Sequence, residues 1–238
     1  MLLLAHRGDH RDAPENTLAA FAAALAIPGV DGLELDVRAS AEGVAVVLHD
    51  ATLTRVQGRR TRASRMTVEE LSIHGVPTLA EVLAACRPAA FLDVELKEDL
   101  AEAALGPIRE ARELADGGVA RVVVSSFDRA VLATVRRCEP SWPTWLNTAW
   151  LSDRAIRAAL DLGCTGIAAE WHRIDARRAE RVRAAGLELA AWTIRTGRAA
   201  STWMPRSAAA AGKRTMPRGA RARSSRCCRR SENWGSTC

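Results

Sequence analysis

The sequence contains no apolar run long enough to cross a membrane. Its longest apolar stretch, residues 18–27, is ten residues long, and a membrane-spanning helix needs roughly 20. At the amino terminus, four apolar residues run directly into His6-Arg7, which is too short for the apolar region of a secretory signal. These absences argue against membrane insertion and export, and they predict a cytoplasmic protein.

The sequence also lacks clustered cysteines over residues 1–195. Three of its six cysteines, Cys86, Cys138 and Cys164, are scattered through residues 1–195 with no Cys-x-x-Cys pair and no Cys/His spacing typical of metal ligands. The pattern excludes a disulfide scaffold and a zinc site. We expect these three to be free thiols that pack as small apolar side chains.

A net excess of positive charge is missing from most of the chain. The 238 residues carry a net charge of +6, with an isoelectric point near 9.5, and such values suggest an anionic partner such as nucleic acid. However, residues 196–238 hold ten Lys or Arg and one acid, whereas residues 1–195 have a net charge of −3. The basic excess therefore marks a separate carboxyl-terminal tail, and we predict no specific nucleic-acid partner.

Short apolar strands alternate with helices through residues 1–195. This alternation is typical of parallel βαβ units, and the length fits one α/β barrel. Seven parallel strands are predicted, at residues 2–5, 31–37, 91–96, 119–125, 144–148, 165–169 and 187–194. A further strand at 44–48 forms a hairpin, and residues 50–79 form a small insertion. We therefore predict an α/β fold, a (β/α)8 TIM-type barrel that is incomplete because no eighth parallel strand is recognisable.

Residues 196–238 do not continue this pattern. They contain Arg-rich and Ser-rich stretches and no β-branched run of strand length, a composition that predicts disorder. We therefore divide the chain into a barrel domain, 1–195, and a basic low-complexity tail, 196–238. The abrupt change favours a wrong reading frame or a degraded terminus; the competing interpretation is a genuine tail that binds polyanions. Without an eighth strand, the first and seventh strands keep unpaired edges.

Acidic residues recur with a period of two in two of the predicted strands. Glu34 and Asp36 point to one face of their strand, and Asp93, Glu95 and Lys97 share one face of the next parallel strand. Such a face cannot pack into hydrocarbon unless its charges pair or bind an ion. The pattern indicates either a structural ion network or convergence of Glu34, Asp36 and Glu95 on a hard cation, for which carboxylate oxygens are suitable ligands.

Two histidines follow predicted strands directly. His6 follows the first strand and His49 follows the hairpin strand, so both lie at carboxyl ends of strands, where α/β barrels have their active sites. Each could have only a structural role. Their matching positions beside the acidic strands favour a pair of imidazoles that act as general acid and general base near neutral pH.

An ordered series of short motifs also resembles the pattern of a known protein family. The series is His6-Arg7-Gly8, Pro14-Glu15-Asn16-Thr17, Gly32 through Val37, Val46-Val47 with His49-Asp50, Pro77-Thr78-Leu79, Glu95-Leu96-Lys97 and Ala191-Trp192-Thr193. Together these motifs resemble the glycerophosphodiester phosphodiesterases. The resemblance covers about 195 residues, and the chain departs from the family pattern after about residue 195.

The resemblance implies a reaction and a cofactor. It implies one divalent cation, Ca²⁺ or Mg²⁺, bound by Glu34, Asp36 and Glu95. It also implies that His6 and His49 exchange protons while the glycerol hydroxyl of the substrate attacks phosphorus, giving a cyclic phosphate that water opens. The expected function is metal-dependent hydrolysis of a small-molecule glycerophosphodiester to glycerol 3-phosphate and an alcohol. The alternative is a truncated, inactive barrel whose basic tail binds polyanions nonspecifically.

The resemblance also implies residues around the substrate. Arg7 and Lys97 would bind the phosphate, the first as a planar fork and the second as a point charge. Trp192 would line the pocket, unless it is a core tryptophan. Trp171 and His172 either line the pocket or pack in a solvent-facing loop. The sequence predicts no particular alcohol and no particular oligomeric state.

Overall fold

The structure is a computed structural model, and it describes residues 1–86, 90–100, 102–113, 121–196 and 199–206. Its strands are β1 (Leu4–His6), β2 (Gly32–Ala39), β3 (Ala45–Val47), β4 (Phe91–Leu96), β5 (Arg121–Ser126), β6 (Thr144–Thr148), β7 (Gly166–Glu170), β8 (Glu188–Thr196) and β9 (Ala199–Arg206). Its helices are α1 (Leu18–Leu25), α2 (Thr54–Gln57), α3 (Val68–Ile73), α4 (Leu79–Ala85), α5 (Glu102–Glu113), α6 (Arg129–Cys138), α7 (Asp153–Asp161) and α8 (Ala176–Ala184).

Seven parallel strands form most of a barrel. The parallel pairs run in the order β1, β2, β4, β5, β6, β7, β8, with helices between successive strands from β4 onwards. Strand β3 pairs antiparallel with β2 as a hairpin. The predicted TIM-type α/β fold with seven parallel strands is therefore confirmed.

The prediction that residues 196–238 contain no strand is wrong for β9. This strand pairs antiparallel with β8 on one side and with β1 on the other, so the two edges expected to remain unpaired are both hydrogen-bonded. Only two residues separate β8 from β9, far fewer than a parallel crossover needs, and β9 therefore runs antiparallel. The remainder of the tail, residues 207–238, lies outside the described residues, and its reading frame stays a prediction.

The missed strand has a physical explanation. The sequence of β9 has weak intrinsic strand propensity and includes Pro205. Its pairing depends instead on the open edges of β1 and β8, which offer rows of backbone donors and acceptors. Such long-range pairing cannot be read from a local pattern.

The insertion contains more regular structure than its polar sequence predicts. Residues 50–65, expected to be loop-like, include α2 and a 3₁₀ turn at Ala63–Arg65. A separate small core supports them, with Val46, Leu53 and Leu71 fully buried. Thr67 caps α3 through a capping box, which fixes the start of the helix. The insertion is thus a packed unit adjoining β3.

The barrel interior is divided into an apolar and a polar part. Near the amino-terminal ends of the strands, Leu4, Val123, Trp145, Ala168 and Ala190 fill the interior as one buried cluster. The outward residues of β2, by contrast, pack under the helices in the main core. Because the lower interior is closed by hydrocarbon, the polar residues further along each strand lie towards the carboxyl-terminal mouth.

Three other predictions can be compared with the fold. Cys86, Cys138 and Cys164 are free thiols; Cys86 and Cys164 are buried as expected, whereas Cys138 is exposed. Within the described ranges, every helix is too short or too polar to traverse a bilayer. The first two residues of the predicted strand at 119–125 lie outside the described residues.

Two glycine substitutions test the packing of the lower barrel. A Cβ at Gly166 would lie 2.5 Å from Cδ1 of the buried Trp145, so Gly166→Ala is expected to lower the free energy of unfolding by about 1–3 kcal/mol. Gly106, inside α5, has nothing within 4 Å of the added atom but directly precedes Pro107. The gain in helix propensity is therefore opposed by contact between the added Cβ and the proline ring, and Gly106→Ala should change the free energy of unfolding by less than about 1 kcal/mol. Urea unfolding measures both changes, and equal effects would contradict the packing described.

Candidate active site

Three carboxylates from two neighbouring strands meet at the mouth of the barrel. Glu34 and Asp36 on β2 and Glu95 on β4 are buried, and β2 and β4 pair so that Asp36 stands opposite Glu95. One oxygen from each residue lies within 4.8 Å of the others. Three converging, water-excluded carboxylates fit a hard divalent cation.

The electrostatics of this cluster support the same conclusion. Burial and the neighbouring carboxylates raise the pKa of Glu34 well above its usual value, and they raise the pKa of Glu95 as well. Burial also opposes ionisation of Asp36, but Lys97 and Arg7 outweigh it and lower the pKa of that carboxyl. Two acids that resist ionisation beside one that is ionised indicate a deficit of positive charge, which a cation would fill.

Lys97 and Arg7 supply the positive charge that the cluster has. The Lys97 ammonium lies 2.8 Å from Asp36 Oδ1 and 2.5 Å from Glu95 Oε1. Arg7 Nε lies 3.0 Å from Asp36 Oδ2. The predicted ion network is therefore present, and it is built from the same side chains as the predicted metal site.

The backbone of Arg7 is held in an uncommon conformation. Its φ is +60°, in the left-handed region, which costs free energy for a residue with a side chain. Its N–H donates to the carbonyl of Glu34 at 3.0 Å, and Gly8, with φ +81°, packs so closely on α1 that an added Cβ would lie 2.7 Å from the Ala20 carbonyl carbon. These contacts turn the chain so that Arg7 reaches Asp36.

His6 ends β1 beside the acidic cluster. Its Nε2 lies 3.6 Å from Oε2 of Glu34. Burial, together with the nearby Arg7, lowers the pKa of His6 to about 3. The imidazole is therefore neutral at ordinary pH and able to accept a proton.

His49 lies on the other side of the mouth, after β3. Its Nδ1 lies 2.6 Å from Oδ1 of Asp50, and Arg38 donates to its backbone carbonyl at 2.7 Å. Burial lowers the pKa of His49, against the opposing effect of Asp36. If Nδ1 donates its proton to Asp50, Nε2 is left for chemistry, as in other carboxylate-oriented histidines.

All but one of the predicted site residues line a single cavity of about 280 Å³. The exception is Asp36, which is fully buried and joins the site through its carboxylate. Trp192 forms one wall, with its ring edge-on to Phe127 at a centroid distance of 5.7 Å. Phe127 and Asn147 complete this wall and were not predicted; both follow or end strands, the position that defines the mouth.

A charge network that the sequence did not predict connects the residues that follow the two histidines. Arg55, from α2 in the insertion, donates to both oxygens of Glu15 at 2.7 and 2.8 Å and to Asp50 at 2.6 Å. Glu15 also accepts from Arg7 at 3.0 Å. The chain of contacts thus runs from Arg7 through Glu15 and Arg55 to Asp50 and His49.

Asn16 positions a carboxylate of the cluster. Its Nδ2 donates to Asp36 Oδ2 at 2.9 Å, and its Oδ1 accepts from the Asp36 backbone N–H at 3.4 Å. Asn16 has a φ of +58°, which asparagine tolerates better than most residues. Asn16 and Glu15 both follow β1 in the sequence, and this position could have indicated a role at the mouth.

Asp93 is fully buried on the same face as Glu95, as its spacing predicted.

Comparisons with known proteins identify the family of this chain. A family model described as the glycerophosphoryl diester phosphodiesterase family matches residues 6–211, which extends beyond residue 195, where the recognisable motifs end. A glycerophosphodiester phosphodiesterase of Caldanaerobacter subterraneus is 32% identical over 159 residues. That match covers 58% of this chain and 63% of the relative, so the chain spans less than two thirds of that relative's length.

Two solved structures share the fold. One, from Silicibacter pomeroyi and named as a candidate glycerophosphoryl diester phosphodiesterase, has a TM-score of 0.70 and 26% identity, covering 80% of this chain and 82% of that one. The other is a phosphodiesterase of Oleispira antarctica in complex with its product sn-glycerol 3-phosphate. It has a TM-score of 0.69 and 25% identity, covering 81% of this chain and 84% of that one.

A pair of isosteric substitutions tests the missed charge network. Glu15 is 14% exposed and holds two guanidinium groups, so Glu15→Gln is expected to lower the free energy of unfolding by about 2 kcal/mol or more. Glu180 pairs with Arg183 on the surface of α8 at 65% exposure, and Glu180→Gln should change the free energy of unfolding by less than about 0.5 kcal/mol. Chemical denaturation distinguishes them; similar small effects would mean that the network contributes nothing to folding.

Proposed function

The chain belongs to the glycerophosphoryl diester phosphodiesterase family, and from this premise we propose that it hydrolyses glycerophosphodiesters to glycerol 3-phosphate and an alcohol. One observation carries the proposal. Two imidazoles, two carboxylates and two cations line a single small cavity at the barrel mouth, and the buried Asp36 carboxylate converges with the other two. The glycerol 3-phosphate bound to the Oleispira relative supports the same substrate class.

The phosphate of the substrate would be bound by Arg7 and Lys97. Both are less than 20% exposed and already face the acidic cluster, so a bound phosphate would interact with them in a weakly screened environment. A divalent cation, Ca²⁺ or Mg²⁺, held by Glu34, Asp36 and Glu95 would stabilise charge on the phosphoryl oxygens and lower the pKa of the attacking hydroxyl. Asp36 and Glu95, two of the three residues that would hold the cation, also hold Lys97 in place.

The first step is an attack by the substrate on itself. One imidazole of the His6 and His49 pair accepts the proton of the glycerol hydroxyl, and the hydroxyl oxygen forms a bond to phosphorus. The bond from phosphorus to the alcohol oxygen breaks, and the other imidazole, which enters the step protonated, donates its proton to that oxygen. The products of this step are a cyclic glycerol phosphate and the free alcohol.

The second step regenerates both imidazoles. A water molecule loses a proton to the imidazole that acted as acid, and its oxygen bonds to phosphorus. The cyclic ester bond breaks, and the glycerol oxygen takes the proton from the other imidazole. Glycerol 3-phosphate leaves, and His6 and His49 return to their starting protonation states.

Asp50 acts through His49 in this mechanism. A carboxylate that accepts from Nδ1 fixes the ring orientation and stabilises the imidazolium that forms transiently. Arg55 holds Asp50 from the insertion side. Asp50 and Arg55 are therefore positioning residues, and the insertion contributes to the chemistry without contacting the phosphate.

The metal site can be tested apart from activity. At a Ca²⁺ or Mg²⁺ concentration about 100 times Kd, the Tm of the native protein should rise by about 5 °C or more. Glu34→Gln should remove this rise, because it removes one ligand, and Glu110→Gln, on the exposed side of α5, should retain it. Thermal melts with and without chelator measure the shift. Equal stabilisation of native protein and Glu34→Gln would place the ion elsewhere.

Chelation should also abolish turnover. Hydrolysis of a glycerophosphodiester should fall at least about 100-fold after metal removal and return when the ion is restored. A colorimetric assay of released glycerol 3-phosphate measures the rate. Undiminished release in chelator would contradict a metal-dependent reaction.

The attack by the glycerol hydroxyl makes a prediction about the substrate. A diester in which the hydroxyl next to the phosphate is replaced by hydrogen should bind but not react, because it has no internal nucleophile. ³¹P nuclear magnetic resonance should show a transient cyclic phosphate with the complete substrate and none with the deoxy compound. Turnover of the deoxy compound at a comparable rate would require direct attack by water instead.

A further inference from the structure

A second cavity opens beside the candidate active site, at the carboxyl ends of β7 and β8. Its volume is about 510 Å³, and it is lined by Glu170, Trp171, His172, Trp192 and Thr193. Trp192 and Thr193 line the catalytic cavity too. The two cavities therefore adjoin at one tryptophan, and a ligand in the first can extend into the second.

The topology determines which part of a phosphodiester reaches this cavity. In the ring of β1, β2, β4, β5, β6, β7, β8 and β9, strand β7 stands opposite β2. Both histidines and the insertion lie on the side of β1, β2 and β3. One imidazole lies against the attacking hydroxyl and the other against the oxygen of the leaving alcohol. Only the part of that alcohol beyond its oxygen is therefore free to extend across the mouth towards β7 and β8.

The walls of the cavity are aromatic and acidic. Trp171 is 41% exposed, and its ring lies against that of His172 with a centroid distance of 3.7 Å. The Trp192 ring packs edge-on to Phe127. Glu170, at the end of β7, adds a carboxylate that is 36% exposed. Aromatic faces together with a carboxylate attract a cation, and above all a quaternary ammonium group, which is weakly hydrated and apolar at its surface.

Resting on the function proposed above, we propose that this second cavity binds a cationic group on the leaving alcohol of the substrate. The favoured ligand class is an alcohol that bears a quaternary ammonium group. A neutral polyol lacks the positive charge that the Glu170 carboxylate and the aromatic rings of Trp171 and Trp192 would attract. The cavity would thus determine which diester is preferred and would leave the chemistry at phosphorus unchanged.

Positive groups near the cavity are already engaged. Arg173 stacks on Trp150, with its guanidinium carbon 3.6 Å from the ring centroid, and its Nε lies 3.8 Å from Glu170. His172 Nδ1 lies 3.3 Å from the other oxygen of Glu170. Both distances exceed those of a close ion pair, so Glu170 keeps electrostatic attraction for an incoming cation. The Arg173 stack shows the same cation–π geometry one loop away.

The test compares two substrates that differ in one atom. Glycerophosphocholine carries the quaternary nitrogen, and its 3,3-dimethylbutyl analogue has carbon in that position, with the same shape and no charge. The native protein should show a kcat/KM about fivefold or more higher for the charged diester, chiefly through KM. Equal values for the two substrates would overturn the proposal.

Two variants locate the preference in this cavity. Glu170→Gln and Trp171→Ala should each reduce the ratio of the two kcat/KM values towards one, whereas Trp171→Phe should retain most of it because it keeps an aromatic face. The matched control is Glu180→Gln, an acid on the surface of α8 that should leave both values unchanged. A preference that survives both Glu170→Gln and Trp171→Ala would place the cation elsewhere and overturn the assignment.

A binding measurement separates this proposal from the hydrolytic one. Choline chloride should quench tryptophan fluorescence of the chelated protein, and 3,3-dimethylbutanol should do so much more weakly, whether or not the protein hydrolyses any diester. Absence of turnover with selective binding of choline would defeat the proposed reaction alone. Hydrolysis with no selectivity in either binding or kcat/KM would defeat the cation site alone.

Discussion

Repulsion among buried carboxylates is the constraint around which the barrel mouth is organised. Glu34, Asp36 and Glu95 lie where water screens charge poorly, so their mutual repulsion is far stronger than on a surface. The surrounding residues act against it. Lys97 and Arg7 bring positive charge to the cluster, and Asn16 donates a hydrogen bond to Asp36. The left-handed backbone at Arg7 is a further cost of bringing its guanidinium to this position.

The rest of the molecule offsets these costs. The apolar cluster around Trp145 fills the lower barrel, and the outward faces of the strands pack under the helices in a continuous core. The charge network from Arg7 to His49 connects the barrel mouth to the insertion, which has a small core of its own. Stability and chemistry are thus assigned to opposite ends of the same strands, as the general behaviour of α/β barrels leads one to expect.

Sequence patterns predicted the parts of this arrangement that depend on the alternation of side chains between the two faces of a strand. The alternation in β2 and β4 placed the three carboxylates on one face, and the positions after β1 and β3 identified both histidines. Contacts between distant elements were missed, because nothing local to α2 indicates that Arg55 meets Glu15 forty residues away. Strand β9 was missed for a related reason: its partners, and not its composition, determine its conformation.

Strand β9 also affects the order in which the barrel can be completed during synthesis. The strand that carries His6 emerges from the ribosome before the other strands of the barrel, yet one of its two edges is paired by residues made some two hundred positions later. Domains generally begin to fold while the chain is still growing, but here β1 has its second neighbour only after β9 has been translated. The strand that carries His6 therefore gains its second neighbour only when almost all of the barrel has been translated. Until then, a nascent chain would contain all the site residues without the pairing that fixes their positions.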